Sequence, residues 1–374
     1  MSSAHTSYVE TPETSPRFPP DRSGVAILGC GTIAQSAHLP AYLEHGVGVT
    51  GVWSRSPGTT ASVRERFPLV GRVYGSAAEL LADDEVRFVD IATGPDHRLR
   101  WIEAAVSAGK HVLAQKPLVL AAEELERLPD LLARADDAGV RVAVNHNGRW
   151  APPWRAASLL LRRGAIGEVV GVTHLHDKAL PPLVGTPFDD LPHMLLTDYL
   201  LHWVDISRCW LIEGSAGGRG VVTSVQATDS RVPGQPADSR NPWSATVALT
   251  AASGATANLR IVGSVVTAEP ACPFWIHGTT GTLRGSVLLD SDRLQLDDGR
   301  ELRDVALRGA WFVDGFAATM GELMCAVAEG RQPENSAADA AASVALVLAA
   351  RQSAQEGGSP VDIAPTSTAA GVRP

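Results

Sequence analysis

Lysine is nearly missing from this chain: Lys110, Lys116 and Lys178 are the only three among 32 basic side chains. Arginine keeps its proton in proteins whereas lysine titrates readily when desolvated, so amine chemistry is confined to three positions. Cysteine is also scarce. Cys30, Cys209, Cys272 and Cys325 stand far apart with no CxxC pair, which excludes a disulfide framework and a zinc ribbon. A reducing compartment, the cytoplasm, is expected. A positive surface is lacking too: the net charge is -9 and there is no long run of Lys or Arg, so neither nucleic acid nor an anionic membrane is an expected partner. A small molecule is. No apolar stretch of about 20 residues stands out as a bilayer span. Residues 1–23 are rich in Ser, Thr and Pro, carry Glu10 and Glu13 and lack an apolar core, so they read as a disordered tail and not as a secretory leader.

What is present is ordinary globular composition, 45% hydrophobic and 20% charged over 374 residues, long enough for two cores. From Val25 to Val144, short β-branched runs alternate with helical patterns, the signature of βαβ units and a parallel sheet. The strand candidates are Val25–Leu28, Val49–Trp53, Phe88–Ala92, His111–Ala114 and Arg141–Val144, and Ala121–Ala138 reads as a crossover helix. After Trp150 the pattern changes to a helix at Trp154–Arg163 and then to alternating runs. These are Val169–His176, Val221–Thr228, Ser244–Leu249, Ala257–Val262, Phe274–His277 and Leu283–Leu289, followed by helices at Phe312–Ala328 and Ala337–Ala354. The expected organisation is an α/β Rossmann dinucleotide-binding domain over 24–147 and an α+β domain with a mostly antiparallel, open-faced sheet over 148–336. A helix over 337–360 would pack back toward the first domain, and 361–374 would be a tail.

The first βα turn reads Gly29-Cys30-Gly31-Thr32-Ile33-Ala34, a GxGxxA fingerprint between strand and helix. Gly29 permits the tight turn, Gly31 lets backbone approach a pyrophosphate, and Ala34 allows close helix packing. The following helix start, with Thr32 and Ile33, offers N–H groups to phosphates. The acidic residue that would hold an adenosine ribose at the end of the second strand is absent; Ser54, Arg55 and Ser56 stand there. An arginine flanked by hydroxyls suits a 2'-phosphate, so NADP is favoured over NAD, unless Arg55 only stacks on adenine and both are used.

Lys116 follows an apolar strand and precedes Pro117, which favours extended backbone before it. It reads either as a solvated lysine where a strand surfaces or as an amine at a strand's carboxyl tip, where α/β sheets bind ligands. Leu195–Leu211 reads as a helix apolar on almost every side, with Asp198, His202 and Asp205 at i, i+4 and i+7 in one arc. Buried ionisable groups must be paired or used. Either they satisfy one another in the core, or Asp198 and His202 face a cleft with Asp205 orienting the imidazole. Lysine, histidine and aspartate around a nicotinamide supply what alcohol oxidation needs.

With these residues the chain resembles the Gfo/Idh/MocA oxidoreductases, which act on sugars, inositols and related polyols. The resemblance covers nearly all of the sequence between the tails. It is carried by the turn at Gly29, DIATGPDHRLRWIEAAVSAGKHVLAQKP, VNHNGRWAPPW with GAIGEV after it, the DxxxHxxD helix and WFVDGFAATMGELMCAVAEG. It implies that Lys116 hydrogen-bonds the reacting hydroxyl, that His202 serves as acid and base, and that Asp198 positions substrate. It places Thr93, Pro95, His97 and Asn145, with Gln115, on the nicotinamide side. Two positions depart from the family: Gln115 replaces the common glutamate before the lysine, and Leu200 replaces the common glycine between Asp198 and His202.

The expected activity is hydride transfer between a secondary alcohol of a cyclic sugar, inositol or polyol and NADP or NAD, with Arg149, Trp150, His176, Lys178 and His193 as further substrate candidates. Two alternatives come with the resemblance, a glycosidase that retains its nicotinamide and a non-catalytic ligand sensor. His174 and His176 form an HxH with both rings on one strand face, but spacing fixes no third ligand and no metal is expected. A homodimer or homotetramer built on the open sheet rests on family analogy.

Overall fold

The computed structural model describes residues 12–287 and 292–364. The described residues divide into two compact units, one of Ser15–Trp150 with Ala310–Val344, the other of Ala151–Gly309 with residues 12–14 and 345–364.

In the first unit six strands, β1 (Val25–Leu28), β2 (Val49–Trp53), β3 (Val70–Val73), β4 (Phe88–Ile91), β5 (His111–Gln115) and β6 (Val142–Asn145), pair in the order β3-β2-β1-β4-β5-β6. Every pairing is parallel. This is the doubly wound dinucleotide-binding order, whose switch point lies between β1 and β4. Central strands bury both faces, which is why they read as unbroken apolar runs. The crossover helices are α1 (Leu39–Glu44), α2 (Pro57–Arg66), α3 (Ala77–Ala82), α4 (Arg98–Ser107) and α5 (Ala122–Asp137). β3 escaped the sequence reading because only Val70 of its four residues is buried.

The second unit opens with α6 (Pro152–Arg162), β7 (Val169–His176) and α7 (Leu201–Glu213). It continues through β8 (Val222–Ser230), β9 (Ser244–Ala251), β10 (Thr256–Val262), β11 (Pro273–Gly278), β12 (Thr282–Ser286), β13 (Arg293–Asp297) and β14 (Leu302–Asp304). With β15 (Val361–Asp362) these form a nine-stranded sheet, β14-β13-β12-β11-β7-β10-β9-β8-β15, antiparallel except for the β7–β10 pair. α6 and α7 pack on it. The alternation along β8, β9 and β10 buries one face and leaves Gln226, Thr228, Thr246, Asn258 and Arg260 on the other.

Several boundaries move. The tail expected up to Ser23 ends earlier, because Phe18 packs against the Rossmann core and the Arg22 carbonyl accepts from Gly48 N at 2.8 Å; residues 1–11 lie outside the described residues. Helix α8 (Phe316–Glu329) belongs to the first unit and not to the domain expected over 148–336: Met320, Leu323 and Met324 share a cluster with Val25, Ile27 and Leu113. Helix and preceding turn together, Trp311–Glu329, are long and apolar enough to cross a membrane, contrary to the expectation of no such stretch, yet 67% of that length is buried inside the protein. It is a core helix. In α9 (Ala337–Gln355) only the part up to Val344 belongs to the first unit; near its far end Ser353 Oγ accepts from Ala227 N of β8 at 2.8 Å. β15 takes the start of the expected C-terminal tail, and 365–374 lie outside the described residues, as do 288 and 289 of the run expected to reach Leu289.

The helix expected over Leu195–Leu211 is two pieces. Leu195–Tyr199 is a π-turn, with Leu200 N donating to Leu195 O at 2.8 Å, and the α-helix starts at Leu201. The π-turn carries more residues per turn than an α-helix, so a single arc at α spacing holds only from His202 onward.

Candidate functional site

The strand tips of the first unit assemble the nucleotide turn. Gly29 has φ +101°, and a Cβ there would lie 2.9 Å from Ala92 C and Thr93 N, so the β1 and β4 tips approach as only glycine allows. Gly31 is the reverse case. A Cβ built on it meets nothing within 4 Å, so backbone faces open space next to a helix start at Thr32. That combination, a forced tight turn followed by bare backbone at a helix amino end, fits a dinucleotide pyrophosphate. At the tip of β2 the Ser54 hydroxyl is turned into its own loop, 3.3 Å from Ser56 N, and Arg55 is exposed. Thr93 and Pro95 are half-buried and His97 is exposed after β4.

Lys116 stands half-buried at the carboxyl end of β5, beside the tip of β4. Two features hold its backbone. Arg98, 2% exposed, donates to Pro117 O and to Thr93 O, the latter at 2.7 Å, and so ties the β4 and β5 loops together. Gln115 Oε1 accepts from Lys116 N at 2.7 Å. The Gln115 amide nitrogen lies 3.0 Å from His38 Nε2, to which Asn145 Nδ2 also comes within 3.2 Å. The other ring nitrogen, His38 Nδ1, lies 2.6 Å from Asp90 Oδ2, and Tyr42 OH donates to the same oxygen at 2.6 Å. Burial, then the adjacent Asp90 carboxylate, push the Tyr42 hydroxyl well above its ordinary value, so it stays a donor. Asn145, expected at the nicotinamide side, is fully buried, and its Oδ1 accepts from Thr319 Oγ1 at 2.9 Å. Its amide is held by this network. Arg149, expected on substrate, instead donates to Glu334 O at 2.8 Å and to Asp339 Oδ2 at 2.5 Å within the same unit, and Trp150 is buried.

In the second unit Asp198 is buried in the π-turn and His202 is half-buried in the first turn of α7. Asp205 is buried beside Arg208, with 3.8 Å between Oδ1 and the guanidinium. Leu200, fully buried, fills the junction. His176 Nε2 meets Tyr199 OH at 3.0 Å, and the Tyr199 and Trp203 rings stack 5.9 Å apart. Burial, then the Lys178 charge, lowers His176 to about 4, so its ring is neutral. His174 packs flat on Trp210 at 5.3 Å with Phe274 at its edge, and burial lowers it to about 3. The two histidines of the HxH thus sit in an aromatic layer. His193 takes a left-handed φ of 52°, and its Nδ1 lies 2.7 Å from Asp229 Oδ2, an orienting carboxylate for a candidate substrate residue. Lys178 is half-buried.

Sequence reasoning missed His38, Tyr42, Asp90, Arg98 and Tyr199. One signal was available: a carboxylate inside the apolar strand Phe88–Ile91 requires a buried partner.

The sheet order, the glycine turn at its switch point and an amine two strands away define a nicotinamide-dinucleotide-binding oxidoreductase of the Rossmann class. The chain belongs to the Gfo/Idh/MocA family: residues 23–146 match its oxidoreductase model with an NAD-binding Rossmann fold, and residues 154–284 match its C-terminal domain. It is 28% identical over 345 residues to a D-apiose dehydrogenase of Paraburkholderia graminis, covering 89% of this chain and 88% of that protein. Among solved structures it is similar to an oxidoreductase of Agrobacterium radiobacter in complex with NAD+, L-tartaric acid and magnesium, at 24% identity and a TM-score of 0.77 over 91% of this chain and 98% of that one. A levoglucosan dehydrogenase in complex with NADH and levoglucosan is 20% identical, with a TM-score of 0.76 over 91% of this chain and 99% of that one.

Proposed function

We propose that the protein is an NAD(P)-dependent dehydrogenase acting on a secondary alcohol or the corresponding ketone of a cyclic sugar or related polyol. The observation that carries this reading is Lys116 at the carboxyl end of β5, two strands from the glycine turn and therefore on the order of 10 Å from it, where a nicotinamide extending from that turn would reach. Similarity to D-apiose dehydrogenase along almost the whole chain supports the substrate class.

When bound, the dinucleotide supplies a two-electron hydride acceptor. Lys116 donates a hydrogen bond to the reacting oxygen and steadies the alkoxide, His202 takes the hydroxyl proton, and Asp198 holds the substrate. Arg55, exposed at the β2 tip, favours the 2'-phosphate of NADP. His176, Lys178 and His193 are the remaining candidates for binding the sugar.

The test is a screen of sugars, inositols and glycosides, D-apiose included, with NAD and NADP, read by the absorbance of the reduced nicotinamide. Lys116→Met is expected to lower turnover about 10²–10⁴-fold while leaving dinucleotide affinity nearly unchanged, because only an interaction with the reacting oxygen is lost. Unchanged turnover would remove Lys116 from the reaction. Cleavage of a glycoside without net reduction of free cofactor would replace dehydrogenation by cofactor-retaining hydrolysis.

A further inference from the structure

Beneath the Lys116 loop lies a chain of polar side chains whose hydrogen-bond directions can be worked out link by link. Lys116 N is a backbone donor, so the Gln115 atom 2.7 Å from it must be the amide oxygen. The Gln115 nitrogen therefore points at His38 Nε2, 3.0 Å away, and donates to it. Asn145 obeys the same logic. Trp311 Nε1 donates to Asn147 Oδ1 at 2.6 Å, so Asn147 Nδ2 is the donor 3.3 Å from Asn145 Oδ1, which leaves Asn145 Nδ2 to donate to His38 Nε2. Two donors aimed at one ring nitrogen require that nitrogen to be an acceptor. The imidazole proton must then sit on Nδ1, where it is given to Asp90 Oδ2 at 2.6 Å. Gln115, His38, Asp90, Asn145 and Thr319 are all buried, so these links lie out of reach of bulk solvent.

We infer that Asp90, His38 and Gln115 form a charge-directing relay that positions Lys116 for the reaction: Asp90 fixes the His38 tautomer, His38 fixes the rotamer of Gln115, and Gln115 holds the Lys116 backbone. These are positioning residues, and the inference rests on the reading of Lys116 given above. It explains why glutamine stands where the family commonly has glutamate. A carboxylate at position 115 would present an acceptor to a nitrogen that is itself an acceptor. The clash is relieved only by taking up one proton from solvent, which turns His38 into an imidazolium between two carboxylates. Gln115 and the Nδ1–H form of His38 therefore belong together.

The relay is tested by ¹⁵N NMR of histidine-labelled full-length protein. Wild-type His38 is expected to show a protonated Nδ1 and an unprotonated Nε2, and Gln115→Glu the imidazolium pattern. The signal is assigned by its loss in His38→Gln or, where that variant does not fold, by its shift in Tyr42→Phe, which touches only the Asp90 side. Asp90→Leu keeps roughly the volume but removes the acceptor that holds the proton on Nδ1. The Nε2–H form, which opposes the Gln115 amide, is then no longer excluded. About a tenfold fall in kcat with the sugar selected by the screen, with NADH affinity within about twofold of wild type, is expected from one misdirected hydrogen bond. A wild-type Nε2–H tautomer, or Asp90→Leu with unchanged kcat in an enzyme that Lys116→Met disables, overturns the relay. If Lys116→Met itself leaves turnover intact, the functional reading fails while the tautomer result stands by itself.

Discussion

Gly29 and Gly31 sit two residues apart in one turn and have opposite surroundings. At Gly29 both φ and space forbid a side chain, whereas at Gly31 there is room. Gly29→Ala is expected to cost about 2–4 kcal/mol, the sum of left-handed strain and displaced β4 backbone, read by denaturant unfolding. Gly31→Ala should leave stability within about 0.5 kcal/mol and weaken NADH binding at least about tenfold, because its methyl group occupies the approach to the pyrophosphate. Equal loss of stability in both variants would mean that the second glycine is structural too. Arg98 makes the complementary point. Nothing in its surroundings in sequence distinguishes it from the exposed Arg100 two residues on, yet it joins the loops after β4 and β5.

Among elements, β7 carries the clearest pH prediction. His174 and His176 are both buried on it and held neutral, at about 3 and about 4. In the unfolded chain each would titrate near its ordinary 6.5. Below that pH the unfolded state binds protons that the folded state refuses, so stability falls as pH drops from about 6.5 toward 4. At pH 5 each histidine accounts for about 2 kcal/mol of the loss. Urea unfolding at pH 7 and pH 5 should show the drop, and His174→Phe, which keeps a flat ring on Trp210, should make it smaller. An unaltered pH slope in that variant would exclude His174 as a source. The π-turn before α7 is the other element that matters: buried Leu200 stands where the turn ends, and Asp198 precedes the α spacing that starts with His202.

For the whole molecule, the nine-stranded sheet presents an uncovered face on β8, β9 and β10. It is polar, with the Thr228 and Thr246 hydroxyls bonded across strands at 2.8 Å. We predict that this face joins subunits into a homodimer or homotetramer. Sedimentation velocity is expected to give two or four times the 39.3 kDa of one chain, and Ala248→Arg, which puts charge in the middle of the face, to release monomers. A wild-type monomer at micromolar concentration would refute this arrangement.

Legibility followed the range of the interactions. Periodicity, glycine turns and apolar runs are local, so the βαβ series, the antiparallel second half, the GxGxxA turn and the Lys116 strand tip could all be read from neighbours in sequence. Short charged edge strands such as β3 could not, because pairing and not composition makes them strands. Nor could the membership of α8, since an apolar helix fits the core of either unit and only its packing with Val25 and Leu113 decides. The sequence by itself determined the family, the Rossmann class of the first domain and the scarce lysine at a strand tip. Tertiary structure decided what surrounds that lysine. The relay joins residues 38, 90 and 115, with Asn145 on the same imidazole, and no local pattern specifies partners so far apart when each link depends on a donor and an acceptor meeting within about 3 Å.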